Sequence, residues 1–100
     1  KAALKASDDG DNAAAACLLK AAFETKEDAT TAYDLAGILE GLGDLDGAIA
    51  WNERTIEMKK NKYATAAIER ITARKAEIAV FEKTYGAKYK LGAYDFAACK

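Results

Sequence analysis

The chain predicts an all-α fold built from antiparallel helical hairpins, and three observations lead there. Proline is absent and aromatics are few (9%), while hydrophobic residues reach 51%, much of it alanine. That composition favours long helices in close contact over bulky burial. Apolar residues recur at Ala32, Leu35, Ala36, Leu39 and Leu42, the spacing that lays one continuous stripe along a helix. The stripe breaks at Gly43-Asp44, where glycine takes the left-handed conformation that ends a helix and aspartate caps the next one.

The elements follow in chain order. Lys1 to Ser7 is a basic, alanine-rich turn or two before the run Asp8-Asp9-Gly10-Asp11. Those carboxylates suit the positive end of the following helix, and they lack the alternating ligands and later glutamate of a calcium loop. Asn12 to Glu24 is then a helix with Leu18, Leu19, Ala22 and Phe23 as its bulky contacts, and Thr25-Lys26-Glu27-Asp28 carries the next cap. The central hairpin occupies Ala29 to Lys60. Its second helix spreads Ala48, Ile49, Trp51, Thr55, Ile56 and Met58 over two faces, as a helix sandwiched between neighbours does. Lys59-Lys60-Asn61-Lys62 is a basic last turn and loop, complementary to the negative end of that helix.

From Lys62 to Tyr85 the pattern predicts one long helix. Its stripe is Ala64, Ile68, Ile71, Ile78, Phe81 and Tyr85, interrupted at Lys75, and Gly86 ends it. In the tail, Tyr89, Leu91 and Ala93 alternate with Lys88, Lys90 and Gly92, which fits an extended segment, while Ala93 to Cys99 suits one or two helical turns equally well. Residues 1–86 are read as one helical domain, and 87–100 as a tail packing on it or on a neighbouring subunit.

The central hairpin resembles a tetratricopeptide repeat. Leu35-Ala36 is similar to the Leu-Gly pair of that family's first helix, and Gly43-Asp44-Leu45-Asp46-Gly47-Ala48-Ile49 to its Gly-Asp-Tyr-x-x-Ala-Ile turn. Thr55 stands where the family prefers alanine, Ala32 replaces a tryptophan, and no proline closes the unit. A repeat cannot bury its apolar face alone. An earlier copy is found 33 residues upstream, with Gly10-Asp11 matching Gly43-Asp44 and Ala15 matching Ala48. The expected architecture is therefore a short tetratricopeptide-like solenoid of about two repeats, with a long C-terminal helix that caps or extends it and an irregular tail.

Composition excludes several functions. The net charge of −1 leaves no electrostatic footprint for nucleic acid or an anionic membrane. No apolar run approaches the roughly 20 residues of a membrane span. Histidine is absent and serine occurs once, at Ser7, so the commonest general base and metal ligand are missing. Gly41, Gly43 and Gly47 surround a helix-helix turn and do not form a phosphate loop after a strand. Asp34 and Glu40 share a face, but solvation explains them better than acid-base work. The expectation is a non-enzymatic protein with no cofactor and no metal.

Cys17 and Cys99 are the two cysteines. Either they form a disulfide, within or between subunits, or Cys17 is a small buried hydrophobe and Cys99 incidental. With the chain opening on Lys1, the disulfide reading favours an extracellular or periplasmic setting, with the cytoplasm as the alternative.

Two binding functions follow. Mismatched apolar ends predict head-to-tail self-association into an oligomer or filament, with copies of the chain as partner and Tyr89, Leu91, Tyr94 and Phe96 as the joint. The resemblance implies the alternative, an adaptor whose first helices line a groove for a peptide of another protein. The matching face carries Thr30, Tyr33, Asp34, Gly37, Glu40 and Gly41. The lysine, arginine and asparagine set with which some members of the family clamp a terminal carboxylate is lacking.

Overall fold

Three aspartates and one asparagine set where the helices start. A computed structural model describes residues 11–86, 88–89 and 91–99; the segment Lys1 to Gly10, with its predicted turns, lies outside the described residues. Asp11 accepts from the Ala14 amide at 2.9 Å and opens α1, Asn12–Thr25. Asp28 accepts from the Thr30 amide at 2.7 Å and opens α2, Ala29–Gly41. Asp44 accepts from the Gly47 amide at 2.8 Å and opens α3, Leu45–Met58. Asn61 accepts from Tyr63 and Ala64 and opens α4, Lys62–Tyr85. In each case a side-chain oxygen satisfies an amide that has no partner within the helix.

The α2–α3 turn closes with two crossed bonds. Gly43, at φ 88°, donates to Glu40 O (3.1 Å), and Asp44 donates to Leu39 O (3.0 Å). This is the Schellman arrangement, which needs a left-handed residue where Gly43 stands. The Asp44 carboxylate then folds back so closely that a Cβ on Gly47 would lie 2.3 Å from Oδ2. Gly47 is therefore required by the cap beside it.

Each helix packs mainly against its neighbours in sequence, and side chains tie alternate helices together. The Phe23 ring of α1 meets Trp51 of α3 edge-on, with centroids 4.9 Å apart. Glu40 of α2 pairs with Arg70 of α4. The result is two layers, α1 with α3 and α2 with α4. Between them lies a core of Ala16, Leu19, Leu35, Leu39, Leu45, Ala48, Ala67, Ile71 and Ile78. The described residues form an all-helical fold with no strand. No helix among them is long and apolar enough to cross a membrane.

The hairpin stripe is buried at Ala32, Leu35, Ala36 and Leu39 as expected. Two other stripes need correcting. In α1 the closest approach is made by Ala15 and Ala16, both 0% exposed, while Leu18 is 42% exposed and Ala22 lies on the surface. Small residues let α1 sit tightly on α2, which rotates the bulky Leu18 outward. In α4 the buried positions end at Ile78; Phe81 and Tyr85, expected to continue the stripe, are exposed. α4 has 24 residues and α3 only 14, so at about 1.5 Å per residue α4 outruns its partner by roughly 15 Å.

Candidate functional site

The groove grows out of the two-layer arrangement. Where α2 and α4 lie side by side they leave a cleft of about 230 Å³ lined by Tyr33, Asp34, Gly37, Ile38 and Glu40 of α2, Ala67 and Arg70 of α4, and Asn52 of α3 beneath. The lining combines apolar surface with three charged residues, Asp34, Glu40 and Arg70. Arg70 grips Glu40 with both guanidinium nitrogens, Nη2 donating to Oε1 at 3.0 Å and Nη1 to Oε2. The hydrogen bonds that Arg70 donates to Glu40 hold its pKa above the ordinary value, against the opposing effect of burial and with a smaller contribution from the Glu40 charge.

Asn52 is 2% exposed and its side chain is half-paired. Nδ2 donates to Ala48 O at 2.9 Å, but Oδ1 is buried without a partner among the described residues. Thr55, one turn on and 0% exposed, returns its hydroxyl to Trp51 O at 2.8 Å and leaves no such gap. Of the predicted groove residues, Tyr33, Asp34, Gly37 and Glu40 converge on this cleft. Thr30 lines a neighbouring hollow of about 180 Å³ with Lys59, Lys60 and Asn61, separated from the cleft by Tyr33, which lines both.

Gly41 does not belong to the groove. A Cβ there would stand 3.2 Å from Asn12 Nδ2, so this glycine serves the crossing of α1 and α2. At Gly37 nothing lies within 4 Å of a Cβ position. Asn52 was absent from the predicted set. The signal for it was the 3-4-3 spacing of Leu45, Ala48, Asn52 and Thr55, which places an asparagine in the buried stripe.

The tail runs the other way, from the end of α4 across the α2–α3 turn to α1. Gly92 donates to Gly43 O at 3.2 Å, and the Tyr94 amide donates to Asp44 Oδ2 at 2.9 Å. Cys99 is joined to Cys17 by a disulfide within the chain. Tyr94 shares its hydroxyl between Ala13 O and Cys17 Sγ, each at 3.4 Å. Phe96 packs on Tyr94 and under the Lys20 ammonium, 4.8 Å from its centroid. Of the residues read as a joint to another copy, Tyr94 and Phe96 are thus half-buried on their own core, while Tyr89 and Leu91 remain 43% and 42% exposed. Tyr89 stacks edge-on with Phe81, which also touches Tyr85.

Among the described residues no cluster of three or more histidine, cysteine, aspartate or glutamate side chains is placed to hold a metal ion. No protein-family model, curated protein or solved structure matches the chain.

Proposed function

We propose that the chain is a non-enzymatic, tetratricopeptide-like interaction module that binds an extended peptide segment of another protein in the cleft between α2 and α4. The observation that carries this is the cleft itself, between two adjacent helices and with an open glycine on its wall. In this reading α1 is the second helix of an incomplete repeat, α2 and α3 are the complete one, and α4 supplies the next first helix. First helices side by side are what the family uses to hold peptides. The disulfide suits an oxidising compartment.

Panning a random-peptide phage library on the purified protein tests the proposal. Enriched peptides should bind in fluorescence anisotropy and lose binding to Gly37→Gln, whose Cβ meets no neighbour and whose longer side chain starts from the cleft wall. Failure to enrich any peptide, or equal binding by Gly37→Gln, would sink it.

Self-association is the second reading, favoured by the exposed Phe81, Tyr85, Tyr89 and Leu91 at the overhanging end of α4. Sedimentation equilibrium decides it: a monomer at the highest workable concentration sets it aside.

A further inference from the structure

We infer that the Cys17–Cys99 bond is a latch opened by thiols: an external thiolate attacks Cys99, and the Tyr94 hydroxyl steadies the departing Cys17 sulfur. Opening it releases the tail from a helical body that stays folded. The peptide-binding reading is not needed for this. Among the described residues every buried apolar side chain belongs to α1–α4. The tail adds only the half-buried Tyr94 and Phe96 to that core. The bond therefore fastens a surface strap and lies outside the packed interior. Both cysteines are themselves only half-buried, and a disulfide within reach of solvent is the kind that exchanges with thiols.

The surroundings select which sulfur leaves. Exchange proceeds by attack on one sulfur and departure of the other as a thiolate, and the better-stabilised thiolate departs faster. Cys17 Sγ lies 3.4 Å from the Tyr94 hydroxyl. Lys20, three residues along α1, holds its ammonium over the Phe96 ring that packs on Tyr94, and a nearby cation favours a thiolate. In the closed bond the hydroxyl has two acceptors within reach, Cys17 Sγ and Ala13 O. A charged sulfur is the stronger acceptor of the two, so the hydroxyl turns to Cys17 as negative charge grows there. With a dithiol as reductant the step balances. Its first thiolate bonds to Cys99 Sγ, and the S–S electron pair leaves on Cys17, which takes a proton from water while Tyr94 keeps its own. Its second thiolate then displaces Cys99, which is protonated in the same way. Two electrons have passed from the dithiol, now a disulfide, to the protein, now with two thiols.

The test follows opening of the oxidised chain by dithiothreitol, quenched by alkylation at intervals. Tyr94→Phe keeps the ring and the backbone amide that bonds Asp44 and lacks only the hydroxyl. Its disulfide should open about 3- to 10-fold more slowly, the share of a hydrogen bond to a charged group that a half-formed thiolate feels. A hydroxyl that merely anchors the strap predicts the opposite sign, because losing it loosens the tail and speeds opening. An equal or faster rate therefore overturns the inference. A second arm needs no variant. Wild-type chain given glutathione and trapped at once with N-ethylmaleimide should carry glutathione on Cys99 and maleimide on Cys17 by peptide mass spectrometry; the reverse placement overturns the assignment. In the reduced chain, amide exchange should rise at Gly92, Tyr94 and Cys99 while the buried amides of α1–α4 stay protected. Loss of protection throughout would make the bond a staple of the whole fold and end the latch reading.

Discussion

Asp44 and Asn52 sit about two turns apart on the same helix, and both are almost wholly buried, at 5% and 2% exposure. Asp44, under the tail, is fully employed: one oxygen takes the Gly47 amide and the other takes the Tyr94 amide. Asn52, under the groove, keeps an acceptor with no partner. The contrast separates a polar group that assembles the fold from one that the fold tolerates. On the tail side both oxygens of Asp44 close onto the chain itself, beside a hollow of about 260 Å³ between α4 and Leu91-Gly92. On the groove side Asn52 Oδ1 has no such partner, and the cleft above it is the one proposed to take a peptide.

Removing the strap is the largest expected break on the closed side. The disulfide spans 82 residues of sequence, and tying so long a loop typically contributes about 2–4 kcal/mol. Cys17→Ser with Cys99→Ser, or reduction, should lower the urea midpoint accordingly. Affinity for groove-binding peptides should hold at denaturant-free conditions, because the tail's hydrogen bonds to the rest of the chain, among the described residues, go to Ala13, Cys17, Gly43, Asp44 and Glu82, none of which lines the groove. Loss of binding in step with loss of the disulfide would show that the two sides are coupled after all.

Asp44→Ala comes next. It removes a helix cap and leaves the Gly47 and Tyr94 amides without their acceptor, a loss of about 1–3 kcal/mol. Amide exchange should rise at Tyr94 and Gly47 first. The opposite sign is expected at Asn52→Leu, where the orphaned carbonyl disappears. Its stability should stay level or rise by about 1 kcal/mol, read as a melting temperature about 4–8 °C higher at the upper end. A clear destabilisation of Asn52→Leu would mean that the asparagine is structural, and the contrast with Asp44 would collapse.

The same contrast marks what could be read from the sequence. Fold-assembling features announced themselves locally: Gly43-Asp44 as a stop and start, Gly86 at the end of α4, the Ala32–Leu39 stripe. Each depends on residues close in the chain. Phe81 and Tyr85 were misplaced because the pattern of α4 continues past the point where α3 stops, and one helix's periodicity carries no information about its partner's length. Leu18 was misplaced because hydrophobicity ranks leucine above alanine, whereas the α1–α2 crossing selects for size. The groove wall was legible on α2 alone. Its other wall, Ala67 and Arg70, comes from more than 25 residues downstream, and only the packing of α4 beside α2 brings it there. Asn52 was hidden in plain periodicity, since a polar residue in an amphipathic helix is ordinarily assigned to solvent.

Gly37 gives the smallest effect and the sharpest test of what the open side is for. Glycine inside a helix costs roughly 0.5–1 kcal/mol relative to alanine. At Gly41 and Gly47 a neighbour explains the choice, since a Cβ would meet Asn12 or Asp44. At Gly43 and Gly86 the left-handed backbone explains it. Neither reason holds at Gly37, which is exposed and helical, and where a Cβ would meet nothing within 4 Å beyond its own helix backbone. Gly37→Ala should therefore stabilise the chain by that same amount, a shift small enough to need paired urea titrations. If the bare backbone is kept for an incoming peptide, the methyl group should weaken binding, and the longer side chain of Gly37→Gln should weaken it further. A stabilised Gly37→Ala with unchanged affinity would place the peptide away from α2, towards the α4 wall and Arg70.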